Sequence, residues 1–105
     1  MDNFKVIYKI LRELEKNMGN EQFSVSSISA EKMQIPFSRW EQLLIMMQDE
    51  GYIKGLVVAK SFSDKYRHIV EPIFPEITLK GMEYLAENSF MSKAKDLLKM
   101  AGDLI

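Results

Sequence analysis

Pro36 divides the apolar pattern of this chain, and little else in the sequence constrains the fold as much. It sits in IPFSRWEQLL, residues 35–44. The residue before a proline is pushed out of the α region, so a short helix over residues 27–33 has to end there. Ser38 and Glu41 then have the S-x-x-E spacing of a capping box, in which each side chain bonds the other residue's backbone N–H. Trp40, Leu43, Leu44 and Met47 follow at i, i+3, i+4 and i+7, a stripe that faces a core. Gly51 supplies the stop. The spacing predicts two helices joined by a tight turn at residues 34–37.

The flanks extend this pattern. Asp2 can cap a first helix, with Phe4, Ile7, Leu11, Leu14 and Met18 on its inner face and Val6 and Ile10 widening it. Gly19 ends it. Phe23 and Val25 alternate as in a short strand. YIKGLVVAK, residues 52–60, is rich in β-branched and aromatic residues and reads as a strand. SFSDK is a turn, and YRHIVEPIFPEIT returns as extended chain that Pro72 and Pro75 keep irregular. Thr78 caps a further helix, with Leu79, Met82 and Leu85 turned inward and Ile77 opposite Met82 as a hydrophobic staple. After a break at residues 88–89, Phe90, Ala94, Leu97, Leu98, Ala101, Leu104 and Ile105 share one side of an amphipathic segment. Three short helices, a hairpin and a helix make a winged helix-turn-helix: mainly α with a β-hairpin wing, plus an appended C-terminal helix over residues 90–105, in one domain spanning 1–105.

Several function classes lose ground on composition. The chain has no Cys and one His, which leaves no thiolate metal site and no disulfide. No cofactor or metal is expected. His68 beside Arg67 reads as an exposed hairpin residue rather than a catalytic one. The serines before residue 30 are placed to cap a helix, and no nucleotide loop or nucleophile elbow is present, so an enzyme is not expected. No apolar run approaches the ~20 residues of a membrane span, and the N-terminus lacks a leader pattern, so a cytoplasmic location is expected. Eight methionines point to a plastic core or contact surface.

Net charge is −1, low for a protein that lives on phosphates. The distribution is uneven. Residues 54–68 carry Lys54, Lys60, Lys65 and Arg67 against Asp64, a balance of +3. Residues 38–50 carry Arg39 against Glu41, Asp49 and Glu50, a balance of −2. The wing is therefore the candidate contact for double-stranded DNA, through Lys60, Lys65, Tyr66 and Arg67. The alternative is a solvated hairpin tip whose charges discourage edge pairing. On the second helix of the motif, Ser38, Arg39 and Gln42 are the candidates for base and phosphate contact. Ile45 and Met46 are left on its outer side, where they suit a protein partner, or else pack beneath another segment. The C-terminal stripe, with Phe90, Leu97, Ala101 and Leu104, fits docking within the chain or a homodimer. Lipid fits it least.

DEGYIKG after the third helix, PEITLKGMEYLAEN before the fourth and SKA in the last segment together resemble the YjcQ-like family of small bacterial and phage proteins. The resemblance covers nearly the whole chain. It implies a winged-helix fold and a prophage or phage setting. It implies no established activity and transfers no functional residue. Two readings follow: a DNA-binding or regulatory module, and a protein–protein adaptor on the same fold.

Overall fold

A computed structural model describes residues 2–89. The expected turn is present. Ser29 opens helix α2 (Ala30–Met33) by accepting the Lys32 N–H at 3.2 Å. Gln34 closes it in the left-handed conformation, with φ of 57°. The Ile35 N–H reaches back to the Ala30 carbonyl at 3.1 Å. Pro36 then acts as the N-cap of α3 (Phe37–Asp49), its carbonyl accepting the Trp40 N–H at 3.0 Å. A proline lacks a donor but keeps its acceptor, so a helix can start directly behind it. This start corrects the capping box. Ser38 is already inside the first turn, no side chain caps α3, and Glu41 is free to bond elsewhere. The far end is a Schellman turn: Tyr52 N–H to the Met47 carbonyl and Gly51 N–H to the Gln48 carbonyl, both 2.9 Å, with Gly51 at φ of 82°.

Trp40, Leu43, Leu44 and Met47 are buried with residues of the first helix, α1 (Asn3–Lys16), as their spacing predicts. Asp2 caps α1 through the Lys5 N–H at 3.0 Å. The buried face of α1 is rotated from expectation. Val6, Tyr8, Ile10, Leu11 and Leu14 are inside, whereas Phe4 and Met18 are exposed. Phe4 lies in the first turn, and Met18 follows the helix end, so helical spacing does not govern it. No strand forms at Phe23 and Val25. A 3-10 turn, Val25–Ile28, stands there, capped by Ser24. It brings the Ile28 carbonyl to the Trp40 indole Nε1–H, at 2.7 Å in the buried core.

The expected long strand is two short ones. β1 (Ile53–Lys54) and β2 (Val57–Ala59) are separated at Gly55, whose φ is 96°. A Cβ there would stand 2.7 Å from the Phe74 carbonyl oxygen, so glycine is required by both conformation and space. β1 pairs antiparallel with β4 (Glu76–Ile77), in register Ile53↔Ile77. β2 pairs antiparallel with β3 (His68–Val70), in register Val57↔Val70 and Ala59↔His68, which forms the wing. Pro72 and Pro75 occupy the irregular stretch between β3 and β4. Thr78 caps α4 (Leu79–Glu87), accepting the Gly81 N–H and donating its hydroxyl to the Gly51 carbonyl. Leu85 and Gly81 are buried and Met82 half-buried, but Leu79, at the first helical position, is exposed rather than inward. The amphipathic segment 90–105 lies outside the described residues.

Replacing Trp40 by Phe keeps the ring but leaves the Ile28 carbonyl without its donor. The expected cost is about 1–3 kcal/mol in a urea unfolding titration. No change in the unfolding midpoint would mean that the indole bond does not hold the 3-10 turn to α3.

Candidate nucleic-acid interface

The outer face of α3, which sequence reasoning offers to a partner, is occupied by the wing. Four side chains of the helix bond the hairpin. Glu41 is buried, and both its oxygens are used: Oε1 lies 2.8 Å from His68 Nδ1, and Oε2 accepts the Ile69 N–H at 3.0 Å. Gln42 Nε2–H donates to the Arg67 carbonyl at 2.7 Å. Gln48 bonds both backbone groups of Leu56, at 3.0 and 2.8 Å. Asp49 accepts from both terminal nitrogens of Arg67, at 3.2 and 2.6 Å. Helical spacing explains the set. Residues 41, 42, 45, 48 and 49 recur at three- and four-residue steps, so they share a face that points away from the core stripe. Ile45, between Glu41 and Asp49 on that face, is 1% exposed.

Each candidate residue then has a place. Ile45 is not a surface residue, which corrects its assignment to a contact surface; on the wing-facing side of α3, Glu41 and Ile45 are buried, Gln42 and Gln48 half-buried and Asp49 exposed. Met46 remains exposed, and so does Phe37, whose ring sits 5.5 Å from that of Trp40. Gln42 is engaged with the wing backbone. Arg67 is held by Asp49, so the wing's formal balance overstates its free charge. Lys54 lies 4.0 Å from Glu76, with both side chains exposed. Ser38 and Arg39 are exposed in the first turn of α3, and neither forms a side-chain hydrogen bond or ion pair among the described residues. Lys60, Lys65 and Tyr66 are exposed on the wing, and the two lysines form no ion pair among the described residues. Phe90, Leu97, Ala101 and Leu104 lie outside the described residues. Sequence reasoning missed Glu41, Gln48 and His68 as the fasteners of the wing. The signal for Glu41 was present but was absorbed by the capping-box pattern.

The electrostatics follow from these bonds. The bond from Glu41 raises the His68 pKa above its usual value, with the charges of Glu41 and Asp64 adding to it against some desolvation. The hydrogen bond from Arg67 holds the Asp49 carboxyl below the usual range, and the same bond raises Arg67. At the wing tip the Asp64 carboxylate accepts from the Ser61 hydroxyl at 2.7 Å and the Ser61 N–H at 3.0 Å, which lowers its pKa. Phe62, in that turn, is fully exposed, and Tyr66, two residues after Asp64, is exposed as well.

The YjcQ protein family matches residues 8–104 of the chain. The chain belongs to the YjcQ family. It is 32% identical to the uncharacterized protein YjcQ of Bacillus subtilis (strain 168), over all of this chain and 99% of that relative. No solved structure matches it. Among the described residues no helix of this YjcQ-family chain is long and apolar enough to cross a membrane, and no three His, Cys, Asp or Glu side chains gather to hold a metal. A groove of about 650 Å³ lies between the end of α1 and the irregular stretch before β4, lined by Leu14, Met18, Phe23, Val25, Phe74 and Ile77.

Two outcomes test the fastening of the wing. Glu41→Ala leaves the Ile69 N–H unpaired and is expected to cost about 1–3 kcal/mol by urea unfolding. His68→Gln tests the pH dependence. The folded protein binds the imidazole proton more tightly than the unfolded chain. The stabilisation is therefore complete below about pH 6.5 and is lost as pH rises through the folded-state value. The gap in melting temperature between wild type and His68→Gln should be widest in mild acid and close in mild alkali. A gap independent of pH would remove His68 from the fastening.

Proposed function

We propose that this protein is a prophage- or phage-type regulatory module that touches double-stranded DNA mainly through its wing, with little base readout. One observation carries the reading: α3 binds the wing so that Arg67 neutralises Asp49, while Lys60, Lys65 and Tyr66 project into solvent. The wing and α3 therefore meet a partner as one surface. Arg39 and Ser38 add a phosphate contact from the first turn of α3. Gln42, which suits adenine in a major groove, is committed to the Arg67 carbonyl and is not expected to read a base.

A second reading, a protein adaptor, is favoured by exposed Met46 and Phe37 and by the apolar spacing of residues 90–105. That spacing also suits a homodimer, because a twofold contact buries a stripe on its own copy. A dimer would double the charge offered to DNA. Light scattering of the full chain and of Leu97→Glu with Leu104→Glu tests it. A dimer that the double substitution dissociates is expected, and a wild-type monomer would remove the idea.

Fluorescence anisotropy with a labelled blunt duplex, across a salt series, tests the main reading. Lys60, Lys65 and Arg39 neutralising three phosphates give a log–log salt slope of roughly −2 to −3, at about 0.9 per phosphate. Lys60→Glu with Lys65→Glu should abolish binding at low salt, and Gln42→Ala should change it little. If wild type shows no duplex affinity at low salt, the adaptor reading stands first.

A further inference from the structure

The wing tip has more than charge. Phe62 stands wholly in solvent between Lys60 and Lys65 in the chain, and Tyr66, directly after Lys65, is largely exposed. Single exposed apolar residues are ordinary. Two exposed aromatic rings in one polar turn that also carries Lys60 and Lys65 form a pattern with its own chemistry. The turn is also built to hold its shape. The Asp64 carboxylate closes it onto Ser61, and the Asp64 N–H returns to the Ser61 carbonyl at 3.1 Å. With Asp64 counted against the two lysines, the net charge of the tip is +1. Two lysine–phosphate contacts alone give little affinity. Contact with nucleic acid at this tip needs a second source of binding energy, and the rings are the groups available.

We infer that the wing tip binds unpaired bases, with Phe62 and Tyr66 stacking on them while Lys60 and Lys65 hold the flanking phosphates. The ligand class is single-stranded DNA, or the single-stranded arm beside a duplex end. Every base presents a face for stacking, so the contact tolerates any sequence. This suits a motif whose helix has spent its base-reading amide on the wing. An intact duplex hides its base faces and offers the tip only phosphates. The inference rests on the DNA-contact reading above and sharpens its ligand.

Three labelled probes decide it in anisotropy titrations at low salt: a blunt duplex, the same duplex with a single-stranded oligo-dT tail, and the oligo-dT strand alone. The full chain should bind the tailed and single-stranded probes more tightly than the blunt duplex. Phe62→Ala should weaken the tailed and single-stranded complexes by roughly 5- to 150-fold, the worth of one base stacked on one ring, and leave the blunt duplex nearly unchanged. Phe62→Trp should restore the preference. Phe62 makes no buried contact, so a melting curve superimposable on wild type confirms that the variant is folded. Equal affinity for all three probes, or a Phe62→Ala protein that keeps the preference, overturns the inference and leaves duplex contact standing. No affinity for any probe overturns both readings.

Discussion

The Glu41 carboxylate is the point on which the wing depends. A two-stranded ribbon in water is marginal by itself, and its outer edge presents unpaired N–H groups. Glu41 takes the Ile69 N–H from that edge and His68 from the ring beside it. Gln48 does for the Leu56 backbone what a neighbouring strand would do, bonding both its N–H and its carbonyl. Helix α3 thus stands in for the third strand that the wing lacks. Its core side is fixed by Trp40, Leu43, Leu44 and Met47, and its opposite side by polar bonds. A helix gripped from both sides sets the angle at which the hairpin leaves the body.

The main architecture was legible because it rests on local patterns. The helical stripe at Trp40–Met47, the stop at Gly51, the Thr78 cap and the prolines before β4 each act within a few residues of themselves. The failures share a cause. Ser38 and Glu41 matched a capping box in spacing, but Pro36 starts the helix earlier, and a carboxylate one turn inside has no cap to serve. The helical wheel correctly turned Gln42, Ile45 and Asp49 away from the core. It had no means to show that the hairpin returns onto them. Ile45 is buried and Gln42 engaged for that reason. Gly55, inside an otherwise good strand, was a visible sign of a break. Formal charge also misled: counting Arg67 with the wing cations ignores that Asp49, eighteen residues earlier, takes it bidentately.

The same bonds reconcile an acidic chain with a nucleic-acid reading. In sequence, the acid at the end of α3 opposes any approach to phosphate. In the folded chain Arg67 lies on Asp49, and Lys60 and Lys65, which form no ion pair among the described residues, stand further along the hairpin. What is offered to solvent there is a small cationic and aromatic tip on a stiff mount. Such a tip is better matched to backbone and base faces than to the hydrogen-bond code of a groove.

Gly55 separates two hydrogen-bonded ladders. One, β1 with β4, belongs to the body, and the other, β2 with β3, is the wing. Neither β1 nor β4 continues into the wing, so beyond its two chain connections the wing is held by the polar side chains of α3 and by Val58 and Ile69 against the core. In hydrogen–deuterium exchange this makes the wing a separate opening unit. The ladder amides of β2 and β3 are expected to exchange together through a local event that leaves the Trp40 core closed. Their protection measures the strength of the helix's grip rather than the stability of the whole domain.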